Sequence, residues 1–328
     1  LMIIKGIERN KFIFWKDRFR LSSDEKSASI SLERNTADKI KGKLKDFKVE
    51  SVESFKKLKL DLADISDKEY SIIEAGILKC IDKPWKLFDK EAKQVPRPLS
   101  VVINKKEGIK EFLVLSPNSE NFEAAVNANK MIEQEINKKT KTEYKNEEEA
   151  LMSVKEAADE VFKEIDFEIR IGVAFNNYNN GKYLYKDKEL TREEQIEYVR
   201  KLIETYNLIY VENPFFEDDI ESYTMLCNEV RSKCFVCLNS KINEYTRHSG
   251  ERAINAAVLK FSNITQFFSD AEQLKNNGLI IVADTKSEAP DIIISSAIPI
   301  VKLYNIPEYS GVIERLKEIN SEILEEKR

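Results

Sequence analysis

The chain lacks several features that mark whole classes of protein. It has no apolar run approaching the length of a membrane span. Its short apolar beginning is broken by Lys5 and Glu8, so we expect no secretory signal. It also lacks an excess of basic residues, because 58 Asp and Glu outnumber 53 Lys and Arg and give a net charge of −5. Such a chain has no electrostatic reason to bind nucleic acid or an anionic membrane, and we expect a cytoplasmic protein.

Cysteine and histidine are scarce as well. The only histidine is His248, and the four cysteines are Cys80, Cys227, Cys234 and Cys237. So few cysteines suit a reducing compartment. Cys234 and Cys237 form a C-x-x-C that could be a redox pair or half of a zinc site. However, KCFVCL is typical of a strand, on which residues three apart point to opposite faces, and no second pair completes a zinc set. His248 lies in a polar segment and is expected at the surface.

The composition is that of a globular protein with a heavily charged surface, since 42% of the residues are hydrophobic and 34% charged. A length of 328 residues suits two domains. The pattern changes at Pro96 and Pro98. Residues 1–95 combine alternating strands with apolar-striped helices, including Lys-rich helical spacing from Thr36 to Phe55, and predict a smaller α+β domain. Residues 96–328 predict a second domain.

The second domain begins with two apolar strands, PLSVVIN and EFLVLS, and two long helices. Strands and helices then alternate to the end of the chain. In the first helix of this series Thr191, with Glu194 three residues later, forms a capping box. Alternation at this spacing predicts a parallel sheet. A series this long that ends on a helix fits a closed (β/α) barrel of the α/β class, with an irregular ββαα start.

The carboxyl ends of the predicted strands carry polar side chains, and chemistry in such barrels is found at these ends. The residues at these positions are Glu212, Asn213, Asn239, Lys260, Asp284, Lys286 and Lys302. Any barrel has polar residues there, because strand ends meet water. The pattern alone therefore leaves open whether an active site exists.

One segment is more specific. VENPFFEDDI resembles the enolase segment I-E-D-P-F-x-E-D-D, and AAVLKFSNITQ resembles L-L-L-K-V-N-Q-I-G-T of the same family. VAFNNYNNGKYLY and VIERLKEINSEIL resemble two further enolase segments in the same order. Earlier in the chain, DKEYSIIEAGILKCIDKPWKLFD and VPRPLSVVINKKEGIKEFLVLSPNSENFEAAV also resemble enolase segments. No single motif is intact, but the ordered set of six covers nearly the whole chain. The sequence thus resembles a shortened, divergent member of the enolase (phosphopyruvate hydratase) family, which implies the enolase fold: an α+β domain followed by a barrel.

The resemblance also implies a chemistry. Enolases remove a proton next to a carboxylate with a lysine base and stabilise the product with divalent metal, a pattern for which this superfamily is itself a standard example. By resemblance, Lys260 falls on the base and Glu111 on an active-site glutamate, while Glu212 falls on the second of three metal carboxylates. Lys302 falls on the second catalytic lysine if the preceding helix is shorter and the following loop longer; an ungapped placement puts Ile306 there instead.

The departures from the family are large. Gly172 stands at the first metal carboxylate, and Leu238, with Asn239 beside it, at the third. Asp284 stands at the substrate-binding histidine, and Lys286 falls in the same weak substrate-binding segment. The G-D-E-G-G loop that carries the catalytic acid and the G-A-S-T-G lid have no counterpart. Removing one stabilising group typically lowers an enzymatic rate by roughly 10²–10³, so we expect ordinary enolase activity to be lost.

Three hypotheses follow for function. The first is a pseudoenzyme, a glycolysis-related binding or structural paralogue that forms a homodimer or associates with a true enolase. The second is a divergent lyase that is still active and uses Lys260 as its base. The third is a module that binds a phosphorylated metabolite through Lys286 and Lys302. No cofactor is expected, although the resemblance allows Mg²⁺ at Glu212, and Glu212 is predicted to form a structural ion pair with Lys260.

Overall fold

The computed structural model describes residues 2–9, 18–23, 26–87, 94–139, 144–285 and 289–327. The contacts divide the chain into two compact units: one takes in residues up to Gln94 with segments 260–271 and 287–297, and the other takes in 95–259, 272–286 and the remainder from Ile298. The division into domains 1–95 and 96–328 stays a prediction. Within the described residues, no helix combines the length and apolarity that crossing a membrane requires.

The first unit contains a four-stranded antiparallel sheet in the order β3-β2-β1-β4. Its elements before Gln94, in chain order, are β1 (Met2–Arg9), β2 (Arg18–Ser23), β3 (Ser27–Ser31), α1 (Arg34–Leu44), β4 (Phe47–Val49), α2 (Val52–Asp61), α3 (Asp67–Lys79) and a 3-10 turn (Pro84–Lys86). The α3 helix begins where the Ser66 side chain accepts a hydrogen bond from the Glu69 amide. The helical spacing predicted from Thr36 to Phe55 is wrong in one respect, because β4 separates α1 from α2.

The remaining strands are β5 (Arg97–Asn104), β6 (Ile109–Leu115), β7 (Arg170–Phe175), β8 (Tyr178–Asn179), β9 (Lys182–Leu184), β10 (Glu189–Leu190), β11 (Tyr210–Glu212), β12 (Phe235–Leu238), β13 (Ala256–Lys260), β14 (Ile280–Asp284) and β15 (Ile300–Tyr304). The remaining helices are α4 (Phe122–Lys139), α5 (Glu147–Phe162), α6 (Arg192–Tyr206), α7 (Ile220–Val230), α8 (Ile242–Gly250), α9 (Ile264–Asn276), α10 (Pro290–Ser295) and α11 (Pro307–Glu326). The predicted capping box is present at the start of α6, where Thr191 and Glu194 bond reciprocally.

Eight of these strands close into a barrel in the order β11-β12-β13-β14-β15-β5-β6-β7. β6 runs antiparallel to both of its neighbours, β5 and β7, and α4 and α5 follow it before β7 begins. The predicted α/β class, closed barrel and ββαα start are therefore confirmed. The smaller α+β unit that precedes the barrel in the sequence is confirmed as well.

The barrel interior is filled by alternate residues of its strands. The buried core consists of Leu99, Val101, Leu113, Leu115, Ala174, Tyr210, Cys237, Ala256, Val258, Val282 and Ile300. Because side chains alternate along a strand, residues two positions beyond a core residue face the interior as well. This places Glu212 after Tyr210, Asn239 after Cys237, and Lys302 after Ile300. The fold thus directs polar residues of several strands toward one end of the barrel.

The C-x-x-C segment and the histidine are parts of the packed interior. Cys237 belongs to the barrel core, and all four cysteines are buried and unpaired with one another. The prediction that His248 lies at the surface is wrong, because its side chain is fully buried. Its Nδ1 lies 2.9 Å from the Glu244 carbonyl oxygen, and its ring meets that of Tyr223 edge-on at 5.2 Å. His248 is three residues after buried Tyr245, on the inner face of α8.

Candidate active site

Three charged side chains meet inside the barrel near its carboxyl end. Lys302 Nζ lies 2.5 Å from Glu111 Oε2 and 2.8 Å from Glu212 Oε2. The exposed fractions of the residues are only 1% for Lys302, 3% for Glu111 and 4% for Glu212. The three come from β15, β6 and β11, so each belongs to a different strand of the closed barrel. We refer to these three residues as the buried charge cluster.

Uncharged side chains also donate hydrogen bonds to the two carboxylates. On Glu212, Oε2 accepts a hydrogen bond of 2.6 Å from the Tyr210 hydroxyl, and Oε1 accepts one of 2.8 Å from Asn239 Nδ2. On Glu111, Oε1 accepts a hydrogen bond of 2.9 Å from the Tyr304 hydroxyl. Buried charges are stable only when they are paired and hydrogen-bonded. The buried charge cluster meets that condition with protein groups alone.

The electrostatics of the cluster favour its charged form. Burial by itself acts to lower the pKa of Lys302, but the charges of Glu212 and Glu111 outweigh it and raise that pKa above its usual range. Burial acts to raise the pKa of Glu212, but the Lys302 charge, with hydrogen bonds from Lys302, Tyr210 and Asn239, leaves the pKa of this carboxyl below its usual value. Lys302 is therefore held as an ammonium ion and Glu212 as a carboxylate.

The other predicted site residues have separate surroundings. Lys260 is the last residue of β13 and its side chain is exposed. The salt-bridge partner of Glu212 is Lys302, so the ion pair predicted with Lys260 is replaced by another. Asp284 Oδ1 accepts a hydrogen bond of 2.7 Å from the Tyr309 hydroxyl. Lys286 lies outside the described residues.

Ile306, the alternative to Lys302 in the ungapped placement, precedes α11 as its N-cap and is exposed. Lys302, by contrast, is buried inside the barrel beside Glu111 and Glu212.

The positions that the resemblance assigns to metal carboxylates do not provide a metal site. Gly172 is packed so tightly that an added Cβ would lie 2.9 Å from Tyr210 Cβ. Leu238 is buried next to Cys237, which faces the barrel interior. Asn239 presents an amide donor to Glu212.

Magnesium requires several oxygen ligands in near-octahedral array. Among the described residues, no group of three His, Cys, Asp or Glu side chains is placed to hold a metal ion. The donor set thus does not fit Mg²⁺.

Sequence reasoning missed the three tyrosines that complete this region, Tyr210, Tyr304 and Tyr309. A signal for two of them was available. Tyr210 precedes Glu212 by two residues and Tyr304 follows Lys302 by two, so on a strand each must face the same way as its charged neighbour. Tyr309 lies on α11, and nothing in the sequence pattern indicates that it reaches Asp284.

Comparison with known proteins shows which family this chain resembles. A family model described as "Enolase, C-terminal TIM barrel domain" matches residues 99–298. The enolase of Archaeoglobus fulgidus is 32% identical over 169 residues, which cover 44% of this chain and 42% of that protein. The enolase of Pyrobaculum aerophilum is 34% identical over 173 residues, or 44% of this chain and 41% of that protein. The enolase of Aeropyrum pernix is 23% identical over 229 residues, or 60% and 53%.

The chain thus matches about two-fifths of the length of the first two of these relatives. Their whole-protein activity does not transfer with such a match. The family model, however, covers more than half of the chain and takes in seven of the eight strands of its closed barrel, from β5 to β14. The chain belongs to the enolase family, of which it is a divergent member.

Proposed function

We propose that this chain is a non-catalytic member of the enolase family, a binding or structural paralogue that has lost the dehydration of 2-phosphoglycerate. The observation that carries the proposal is the donor set. Of the three positions where the resemblance places metal carboxylates, only Glu212 bears one. Both of its oxygens already accept hydrogen bonds from Lys302, Tyr210 and Asn239.

The energetic argument concerns the doubly charged product of proton removal. Preorganised charge is usually the largest catalytic contribution, and loss of a single stabilising group typically costs roughly 10²–10³ in rate. Here Gly172 and Leu238 supply no negative ligand, and Glu212 is neutralised by an internal ammonium ion. Several such losses together support the absence of a physiological rate.

The hypothesis that the chain binds a phosphorylated metabolite was based on Lys286 and Lys302, and the contacts of Lys302 argue against it. Lys302 is buried and committed to Glu111 and Glu212, so its ammonium is not available to a phosphate. Asp284 would place a carboxyl group where the family resemblance expects a histidine that binds substrate, and a carboxylate repels phosphate. These contacts count against a phosphorylated metabolite held by Lys302.

One observation favours the alternative, a divergent lyase that is still active. Lys260, which the resemblance places on the base, is exposed. A lysine with an accessible amine can act as a base when a substrate desolvates it. This hypothesis requires a substrate whose negative charge is stabilised without the usual metal ligands.

The test is a direct assay of phosphoenolpyruvate formation from 2-phosphoglycerate with excess Mg²⁺, run beside Lys260→Ala and Lys201→Ala, which changes an exposed lysine on α6. We expect no turnover by any of the three proteins while circular dichroism shows each to be folded. Turnover that Lys260→Ala abolishes and Lys201→Ala retains would overturn the proposal and favour the divergent lyase.

We further propose, from the family resemblance alone, that the partner is a second copy of this chain or a true enolase, in the cytoplasm. Sedimentation of the chain by itself, and then mixed with an active enolase, measures both associations. A monomer in both experiments would contradict this part of the proposal.

A further inference from the structure

The buried charge cluster contains a cation that the protein itself supplies. We propose that the Lys302 ammonium, shared by Glu111 and Glu212, is a resident cation that occupies the place of a divalent metal at Glu212, so that this barrel is complete without metal. This goes beyond the loss of catalysis, because it concerns what holds the barrel together and would stand even if Lys260 proved active.

The contacts of Lys302 are those of an ion bound between two carboxylates. Its Nζ lies within 2.8 Å of an oxygen of each, 2.5 Å for Glu111 and 2.8 Å for Glu212. The carboxylates come from strands β6 and β11, which are separated in the barrel by β7. The ammonium therefore links strands that are not neighbours, as a bridging metal ion does.

The charge balance supports the same assignment. A second ammonium, that of Lys110, lies 3.9 Å from Glu111 Oε1 on the exposed side, where 45% of the Lys110 side chain is accessible. Water screens the charge of Lys110, so the buried positive charge between the two carboxylates is that of Lys302. A metal added to this arrangement would meet an ammonium ion in contact with each carboxylate, and like charges at such distances repel.

The acceptor sites are also occupied. Glu212 Oε2 accepts hydrogen bonds from both Lys302 and Tyr210, and its Oε1 accepts one from Asn239. A cation that binds Glu212 would have to compete with these three donors. Because Lys302 is part of β15, its ammonium is held at a high effective concentration beside the two carboxylates. A free ion must compete with it for them.

The proposal is tested by thermal melting of the full chain, wild type and Lys302→Ala, with and without Mg²⁺, Mn²⁺ or EDTA. We expect the wild-type Tm to be unchanged by all three additions. Lys302→Ala should melt about 10 °C lower, because two buried carboxylates lose their partner. Since the substitution opens the space of the deleted side chain, Mn²⁺, or propylammonium as a substitute for the lost atoms, should raise the variant's Tm in a saturable manner.

Lys110→Ala is the matched control, because it removes an ammonium near Glu111 without opening the interior. We expect a small change in its Tm and no response to propylammonium. A wild-type Tm that rises with Mg²⁺ or falls with EDTA would overturn the proposal. So would a Lys302→Ala protein that melts like the wild type, or one that responds to the cations no more than Lys110→Ala does.

If Lys302→Ala does not fold, Lys302→Met and the double variant Lys302→Met/Glu111→Gln decide the matter. Methionine fills the space but carries no charge, so Lys302→Met should melt well below the wild type. The double variant should recover part of that loss, because one unpaired carboxylate has been removed. A double variant that melts lower than Lys302→Met would contradict the resident-cation role. These readouts involve no 2-phosphoglycerate, so they are independent of the assay for the proposed function.

Discussion

Gly172 offers the sharpest test of why the family's first metal ligand is missing. The perturbation is Gly172→Asp, which puts a carboxylate back at the position that the resemblance assigns to it. Gly172→Ala is the companion variant, because it adds the Cβ without the charge. Gly172 pairs with Tyr210 across β7 and β11, and the conflict that we expect lies between these two residues.

The magnitude follows from three distances. A Cβ on residue 172 would lie 2.9 Å from Tyr210 Cβ, 3.2 Å from Tyr210 Cδ1 and 3.2 Å from the Tyr210 carbonyl oxygen. None of these atoms is the free end of a flexible side chain, so the strands must move apart. Overpacking of this kind typically costs about 1–3 kcal/mol, and replacing a strand glycine by alanine recovers about 0.5–1 kcal/mol. We therefore expect Gly172→Ala to lower the free energy of unfolding by about 1–2 kcal/mol.

Gly172→Asp should cost about 1–3 kcal/mol more than the alanine variant, since its carboxylate must be desolvated in a buried position. The assay is urea unfolding followed by circular dichroism, with and without Mg²⁺. The control is Gly311→Ala on α11, where an added Cβ meets nothing within 4 Å and should stabilise the helix. The reasoning is refuted if Gly172→Ala is as stable as the wild type, or if Mg²⁺ raises the urea midpoint of Gly172→Asp.

Two further predictions concern carboxyl groups. The pKa of Glu212 is lower in the folded state than its ordinary value of about 4.3, so its contribution to stability is present above that pH and lost as the pH falls through the folded pKa. Urea midpoints measured from neutral pH to pH 3 should therefore fall less steeply for Glu212→Gln.

Glu74 accepts hydrogen bonds from the Ile264 and Thr265 amides at the start of α9. Glu74→Ala should lower the free energy of unfolding by about 1–3 kcal/mol. Glu74→Gln, which keeps an acceptor, should cost less in the same urea experiment.

The fold was accessible to sequence reasoning because its signals are periodic. The alternation of strands with helices after Arg170 requires no knowledge of side-chain contacts, and the capping box of Thr191 and Glu194 marks a helix start by local chemistry alone. The errors lie where that periodicity is weak. β4 is only three residues long, and it was hidden within a Lys-rich helical pattern.

The candidate site was accessible only in part. Strand alternation places Glu212, Asn239 and Lys302 in the barrel interior, and it could also have identified Tyr210 and Tyr304. It cannot say which lysine pairs with Glu212, because that depends on how far each long side chain reaches across the closed barrel. The prediction of Lys260 rested on its place at the end of the strand next but one to that of Glu212. The observed partner is Lys302, which a strand order of β15-β5-β6-β7-β11 places across the interior.

The absence of metal-binding carboxylates and the proposed role of Lys302 have the same physical explanation, which is the balance of buried charge. The resemblance places metal carboxylates at Gly172, Glu212 and Leu238, and this chain keeps a carboxylate only at Glu212. Gly172 and Leu238 add no charge, and Asn239 beside Leu238 donates a hydrogen bond to Glu212. Glu111 and Glu212 then share the buried ammonium of Lys302. Restoring a single carboxylate should therefore destabilise this barrel. The Lys302 ammonium already pairs with Glu111 and Glu212, so it cannot also neutralise an added carboxylate.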